Sequence, residues 1–323
     1  MRRAVVLIAT LPFLAACTGA DAKRDAEIAF TVNRDGYGEI WLMRPDGSDR
    51  RRLTRAASPQ TDAAGARTPA WSPDGMHLAY SFSPSDARRP SDIYVMSADG
   101  DDVRHLTMSE GVDEQPSWSP DGKRIVFARF TGIERRDQRG IVVIGADGRT
   151  ETQLPRVAGP TFDAAPAWSP DGSTIAFTRL TVRSDLEHEK LALYIVAPGG
   201  NGLTKLIDGG GQGVWSPDGK RIAFTSIRDR FGRTCFEECT PSGEIYVADA
   251  DGSHQRRLTM SRADDRSPTW SPDGRSIAFV SDRSDPQLHD NEIYVMRADG
   301  SDLQKITSSG DWSLDPAWRP APK

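Results

Sequence analysis

One string of residues, Trp-Ser-Pro-Asp-Gly, constrains the fold of this chain more than any other feature. It begins at Trp71, Trp118, Trp168, Trp215 and Trp270, and a degenerate sixth copy reads Trp318-Arg319-Pro320. The copies are spaced 47 to 55 residues apart, so the repeats occupy most of the 323 residues. Self-similarity at such a period is typical of architectures built from one repeated supersecondary unit.

Each repeat contains the signals of four short strands. Apolar triplets of the Ile-Ala-Phe type predict buried strands; they start at Ile28, Leu78, Ile125, Ile175, Ile222 and Ile277. A further apolar strand follows each triplet, and most of these strands end at an Asp-Gly turn. In Ser-Pro-Asp-Gly, Pro presets φ and Gly permits the exit conformation of a turn. Four antiparallel strands in 45 to 50 residues are typical of a β-propeller blade.

The two ends of the chain complement each other. The first repeat begins directly at Ile28 and lacks a first strand, whereas the chain finishes with a first strand that ends at Trp318. We therefore predict an all-β fold, a six-bladed β-propeller with four-stranded antiparallel blades and N/C-terminal (velcro) closure, which leaves no open sheet edge. The predicted propeller spans 27–319, with blades at about 27–54 plus 314–319, 69–107, 116–154, 166–206, 213–259 and 268–307.

The N-terminal segment predicts export. Arg2 and Arg3 precede an apolar stretch, residues 4–14, that is too short to span a bilayer comfortably. The following Leu14-Ala15-Ala16-Cys17 resembles the lipobox of bacterial lipoproteins, whose cysteine is lipidated and becomes the mature N-terminus. The resemblance implies a signal peptide over 1–16, a lipid anchor at Cys17, a short tether over 17–26 and a location at the bacterial cell envelope, periplasmic or outer-membrane-facing. An ordinary cleaved signal with an incidental cysteine is the alternative.

The other two cysteines, Cys235 and Cys239, lie four residues apart with no His or third Cys nearby. Because an exported protein meets an oxidising compartment, we expect a local disulfide between them. Free thiols, or a metal or redox site, are the alternatives. A loop this short closes little chain entropy, so the bond would fix a local shape.

The repeated pattern of Trp-Ser-Pro-Asp-Gly, Ile-Ala-Phe, Glu-Ile-Tyr-Val-Met and Leu-Thr resembles the TolB-type, WD-like propeller repeats of bacterial periplasmic proteins. The resemblance extends over nearly all of the predicted mature chain. It implies a lipoprotein member of that family without the α/β domain that precedes the propeller in TolB.

Charge and motifs exclude several functions. The formal net charge of −5 is not that of a nucleic-acid-binding protein. The chain has no G-x-S-x-G or H-E-x-x-H motif, and its five His residues occupy different repeat positions. We therefore predict no catalytic residue, no cofactor and no metal site.

The candidate site lies where the long connections gather. Turns between first and second strands and between third and fourth strands are short, so the long connections share the other face of the ring, where recognition is expected. Those connections are 55–68, 83–91, 131–139, 181–190, 227–243 and 282–291.

Arginines recur at the start of these connections, at Arg34, Arg129, Arg179, Arg228 and Arg283. Aspartates recur before the next Trp, at Asp113, Asp163 and Asp265. One interpretation is Arg–carboxylate bracing of the blades. The other is a ring of charge that binds a carboxylate-bearing peptide or ligand.

The sequence favours a membrane-anchored, exported binding module, a monomeric ring that recognises an envelope protein or peptide through the long-loop face and channel mouth. The first alternative is an enzyme acting on polysaccharide or sugar, since a similar propeller occurs in oligogalacturonate lyases; His188 and His289 would then share a loop surface. The second alternative is a structural component of an envelope complex.

Overall fold

The structure is a computed structural model that describes residues 27–34, 37–55, 65–84, 90–131, 139–155, 161–181, 190–228, 242–285, 290–308, 310 and 312–321. The predicted anchor Cys17, the tether and the cysteine pair Cys235 and Cys239 lie outside these residues. Across the described ranges, no helix is long and apolar enough to cross a membrane.

The described residues form an all-β structure of 24 strands, which we group into sets of four and call units 1 to 6. Unit 1 consists of β1 (Ile28–Arg34), β2 (Tyr37–Met43) and β3 (Arg51–Arg52), with β24 (Trp312–Trp318) from the end of the chain. Unit 2 consists of β4 (Gly65–Trp71), β5 (His77–Ser83), β6 (Asp92–Ser97) and β7 (Arg104–His105). Unit 3 consists of β8 (Val112–Trp118), β9 (Arg124–Phe130), β10 (Arg139–Gly145) and β11 (Glu151–Gln153).

The remaining units follow the same order. Unit 4 consists of β12 (Thr161–Trp168), β13 (Ile175–Thr181), β14 (Lys190–Val196) and β15 (Thr204–Asp208). Unit 5 consists of β16 (Gly210–Trp215), β17 (Arg221–Ser226), β18 (Glu244–Asp249) and β19 (Arg256–Arg257). Unit 6 consists of β20 (Asp265–Trp270), β21 (Ser276–Asp285), β22 (Asp290–Arg297) and β23 (Gln304–Lys305). Because β21 and β22 continue to an Asp285–Asp290 pair, the connection predicted at 282–291 is shorter than expected.

Strands within a unit pair antiparallel in chain order. Units 1 and 2 are also joined by one parallel bridge, between Gly38 and Gly65. In unit 1, the strand β24 pairs with β1, so that Ile28 lies opposite Trp318 and Ala29 lies opposite Ala317. The backbone N–H of Arg319 donates to the carbonyl of Glu27 at 2.8 Å and extends this pairing by one hydrogen bond.

The apolar core lies between the units. Six clusters of buried side chains are present, and each draws its members from two consecutive units. Phe127 of unit 3, for example, packs with Ile93 of unit 2, and Phe30 of unit 1 packs with Ile293 of unit 6. The repeat tryptophans belong to these clusters as buried or partly buried members. Burying one Val, Leu, Ile or Phe side chain is worth about 1.5–3 kcal/mol. Because these side chains are buried between units, most of the apolar stabilisation resides in contacts between units.

Both kinds of repeat turn use side-chain hydrogen bonds. In the first, the N–H of Gly75 donates to Ser72 O at 2.8 Å, and the Ser72 hydroxyl donates to the Asp74 carboxylate. In the second, the N–H of Gly252 donates to Asp249 O at 2.9 Å, and the N–H of Ser253 donates to the Asp251 carboxylate at 2.9 Å. Gly252 has a φ of +83°, and a Cβ there would lie 2.7 Å from the carbonyl oxygen of Leu206 in unit 4. This glycine is therefore required by both the turn and the approach of the neighbouring unit.

We predict that Gly252→Ala lowers the free energy of unfolding by at least about 1–2 kcal/mol, the cost of left-handed backbone for a residue with a Cβ. Gly199→Ala is the matched control, because a Cβ at Gly199 meets nothing within 4 Å and its φ is not left-handed. Urea unfolding of both variants checks this expectation. Equal stability of the two variants would contradict it.

Candidate functional site

A cavity of about 270 Å³ lies between the first strands of all six units. Each unit contributes the same three consecutive positions of its first strand to the lining of this cavity. We call these residues the channel wall; they are 68–70, 115–117, 165–167, 212–214, 267–269 and 315–317.

The first residue of each triplet has a left-handed backbone. We call these six residues the belt: Thr68, Gln115, Ala165, Gln212, Ser267 and Asp315. Their φ values lie between 49° and 59°, and each sits at a register shift in the pairing of its strand. The left-handed conformation costs a non-glycine residue about 1–3 kcal/mol, so it persists only where the surroundings enforce it.

Proline follows the belt residue in five units, and Gly213 takes its place in unit 5. The first strand is the edge of its sheet in five units, and in unit 2 its inner side is joined to β2 by the single Gly38–Gly65 bridge. Proline has no N–H, so it leaves no unpaired donor on that edge, and a bulge is one of the few strand positions that accept it.

Belt N–H groups bind side chains of the preceding unit. The N–H of Thr68 donates to Thr31 Oγ1 at 3.2 Å, and that of Ala165 donates to Gln115 Oε1 at 2.8 Å. The N–H of Gln212 donates to Thr178 Oγ1 at 2.7 Å, and that of Ser267 donates to Gln212 Oε1 at 3.0 Å. The strained backbone thus turns a donor away from its own strand and uses it to link two units.

Asp315 is the only ionisable residue of the channel wall. Its carboxylate accepts a hydrogen bond from the Thr31 hydroxyl at 3.1 Å. Burial raises the pKa of Asp315, and this effect outweighs the Thr31 hydrogen bond and the nearby Arg266 and Arg67, which lower it. The channel therefore contains one carboxyl group whose charge is disfavoured by its surroundings.

The five predicted arginines have aromatic partners in their own units. The guanidinium carbons of Arg179, Arg228 and Arg283 each lie 4.9 Å from the ring centre of a third-strand tyrosine. Arg129 lies 5.2 Å from the Phe127 ring, and Arg34 lies 5.6 Å from the Trp41 ring. Such stacking orients the guanidinium along the strand pair.

Three of these arginines also bind the predicted aspartates. Arg179 and Asp163 form two hydrogen bonds of 2.6 Å, and the two residues are only 2% and 3% exposed. Arg129 binds Asp113 at 2.6 and 2.8 Å, and Arg283 binds Asp265 at 2.6 Å. Units 3, 4 and 6 thus each contain an Arg–Asp pair that joins the first and second strands of the same unit. A ligand-binding role for the arginines remains a prediction.

Arg228 differs from these three, because its hydrogen bonds go to neutral oxygens. Its guanidinium donates to Ser226 Oγ at 2.9 Å, to the side chain of Gln255, and to the backbone carbonyl of Asp208 at 3.2 Å. None of these contacts neutralises its charge, so Arg228 is the predicted arginine best suited to an incoming carboxylate.

Sequence reasoning missed the belt and Asp315. The available signal for the belt was the proline that lies two residues before five of the six repeat tryptophans; Gly213 occupies this position before Trp215. The histidines of the enzyme alternative, His188 and His289, lie outside the described residues. Among the side chains that the structure describes, no three His, Cys, Asp or Glu are placed to hold a metal ion.

The TolB beta propeller domain family matches residues 63–132 and 235–323 of the chain. Among curated proteins, the Tol-Pal system protein TolB of Anaeromyxobacter dehalogenans is 36% identical over 91 residues, which are 28% of this chain and 19% of that protein. The matches to curated relatives span between 8% and 19% of those proteins' lengths.

Two solved structures illustrate the range of proteins with this fold. TolB from Acinetobacter baumannii superposes with a TM-score of 0.70 at 21% identity, covering 91% of this chain and 67% of that one. Oligogalacturonate lyase from Vibrio parahaemolyticus superposes with a TM-score of 0.53 at 12% identity, covering 83% of this chain and 73% of that one. At these identities the likeness concerns the fold alone.

We predict that Arg179→Ala lowers the free energy of unfolding by about 3–5 kcal/mol, because it leaves the Asp163 carboxylate buried without a partner. The control is Lys205→Ala, which removes the exposed Lys205–Asp208 pair and leaves stability unchanged. The double variant Arg179→Met with Asp163→Leu should recover much of the loss. Urea unfolding decides, and similar effects of Arg179→Ala and Lys205→Ala would refute the bracing role.

We also predict that Asp315→Asn raises the free energy of unfolding by an amount that depends on pH. A raised pKa means that the folded protein binds more protons than the unfolded chain, so Asp315 costs stability as pH rises above its ordinary pKa. Asn can keep the Thr31 hydrogen bond and tolerates left-handed φ. The variant should match the wild type at low pH and become the more stable of the two towards neutral pH.

Asp299→Asn is the opposite-sign control for this experiment. Hydrogen bonds from the Ser301 hydroxyl and N–H lower the pKa of Asp299, so its contribution is present at neutral pH and lost on acidification. Thermal unfolding across pH measures both variants. A gain in stability for Asp299→Asn, or none for Asp315→Asn, contradicts this account.

Proposed function

Because the chain belongs to the TolB-like β-propeller family, we propose that it is an exported, membrane-anchored binding module for an envelope protein. In this proposal the six units are the blades of one closed, monomeric ring, and Cys17 is its lipid anchor. The ring takes up a segment of the partner at the channel mouth on the long-loop face.

Two observations support closure of the ring. The strand β24 pairs with β1, and Ile293 and Ile306 of unit 6 pack against Ile28 and Phe30 of unit 1. The contact between the last and first units is thus of the same apolar kind as the other five.

The channel wall is the observation that carries the proposed function. Its five prolines and four alanines offer apolar surface, and the Gln115, Gln212, Ser267 and Asp315 side chains add a few fixed polar groups. This combination is typical of recognition sites. A volume of about 270 Å³ accommodates a few side chains of a peptide segment, and the wall is fixed beforehand by the belt hydrogen bonds. Little ordering is then required when a partner binds.

The class of partner follows from the relatives and from the loop face. Several matched relatives are named Tol-Pal system proteins, which supports a partner in the cell envelope. At the loop end of unit 5, Arg228 adds a cation whose hydrogen bonds go to neutral oxygens, which suits a carboxylate on that partner.

A crosslinking experiment tests the binding face. Thr131 and Lys123 are exposed residues that flank opposite ends of β9, so a photoreactive amino acid at each samples the loop face and the turn face of one blade. In the native cells, we expect Thr131 to give an adduct with one envelope protein and Lys123 to give none. Mass spectrometry of the adduct identifies the partner.

The purified partner then allows a direct measurement. Ala167→Phe adds bulk at the channel wall and should weaken binding at least tenfold, whereas Lys123→Ala should leave the affinity unchanged. Thermal unfolding verifies that Ala167→Phe is folded. No adduct at Thr131 above background, or equal adducts at both positions, would overturn the proposed binding face.

A further inference from the structure

The chain enters and leaves the fold on the same face. First strands run towards the Ser-Pro-Asp-Gly turns, and second strands run away from them. β1 is a second strand and β24 is a first strand, so Glu27 and Arg319 both lie at the face of these turns. We call this face the turn face; it consists of Glu27 and twelve segments. These segments are 44–50, 72–76, 97–103, 119–123, 145–150, 169–174, 197–203, 216–220, 249–255, 271–275, 297–303 and 319–321.

Glu27 is held in place on the turn face. Its carboxylate binds the guanidinium of Arg319 at 2.7 Å and that of Arg51 at 3.2 Å. Its carbonyl accepts the N–H of Arg319, and the Arg319 guanidinium in turn donates to Gly75 O at 3.0 Å in unit 2. The last residue before β1 is therefore tied to units 1 and 2, and any tether must start from this point.

The length of the tether limits which face can approach a membrane. Glu27 lies ten residue steps after Cys17, and a fully extended chain of ten steps reaches at most about 33–36 Å. To bring the loop face to the bilayer, the tether would have to cross two strands, roughly 10 Å, and then the length of a seven-residue strand, about 23 Å. That path consumes the whole reach of the tether.

The turn face also has a charge that does not favour adhesion to anionic lipid. Its segments contain fifteen Asp and eight Arg or Lys. Hydrogen bonds from serine hydroxyls and backbone N–H groups lower the pKa of nine of these carboxyls, which stay ionised. Anionic headgroups repel such a surface, so the covalent anchor alone keeps it near the bilayer.

From the position of Glu27 and the short reach of the tether we infer that the turn face is the membrane-facing side of the anchored protein and that the loop face and channel mouth point away from the bilayer. This inference rests on the lipid anchor of the proposed function. It places the binding surface where a partner from the aqueous compartment reaches it without displacing lipid.

Energy transfer in vesicles tests the orientation. The full chain is produced with its signal peptide, with Cys235 and Cys239 replaced by serine, and a donor dye is attached through Lys123→Cys or Thr131→Cys. Each protein is inserted into phosphatidylcholine vesicles that carry an acceptor dye on a headgroup. We expect stronger transfer from position 123, because it lies roughly 20 Å closer to the acceptor plane than position 131.

Controls separate this inference from the proposed binding function. Cys17→Ser should abolish transfer at both positions, and mass spectrometry should find the lipid on Cys17 in the parent protein. Equal transfer, stronger transfer from position 131, or a parent protein without lipid would overturn the inferred orientation. Partner crosslinking at Thr131 is measured in a separate experiment. The inferred orientation and the proposed binding function can therefore be refuted independently of each other.

Discussion

Among the residues that the structure describes, the apolar face of each unit is buried against a neighbouring unit, and the rest of the structure depends on that constraint. Each apolar cluster is completed by the next unit along the chain, as Phe127 is completed by Ile93. In such an arrangement stability resides in the interfaces. The unit built from both ends of the chain therefore matters as much as any other, because two clusters depend on it.

Polar interactions add hydrogen bonds between the units and ion pairs within them. The belt residues adopt an unfavourable backbone conformation, but their N–H groups then reach across to the preceding unit, as Ala165 reaches Gln115. The arginines act within units: stacked on aromatic rings and bound to carboxylates, Arg129, Arg179 and Arg283 fix the ends of strand pairs. The charges of these three arginines are thus paired with carboxylates inside their own units.

Features set by short stretches of sequence were predictable, and features set by contacts between distant stretches were not. The Ser-Pro-Asp-Gly turns and Ile-Ala-Phe strands follow from local backbone preferences, so the all-β repeat fold could be anticipated. The Arg–Asp pairs could be proposed because the residues recur in phase. The belt could not, because left-handed φ at Gln115 or Ala165 arises from a neighbouring unit that sequence does not position. The raised pKa of Asp315 depends on its burial in the channel wall, beside Thr31 and Arg266 from distant parts of the chain.

The departures from the repeat in units 1 and 5 have a consequence for anything that enters the channel. Six identical walls would offer a guest six equivalent rotational settings and no means of choosing between them. Asp315 places one acidic group on the channel wall, Gly213 removes one proline ring, and the other belt side chains, such as Gln115 and Ala165, also differ from unit to unit. The symmetry is thereby reduced to a single distinguishable setting, so an asymmetric guest can be held in one orientation about the axis.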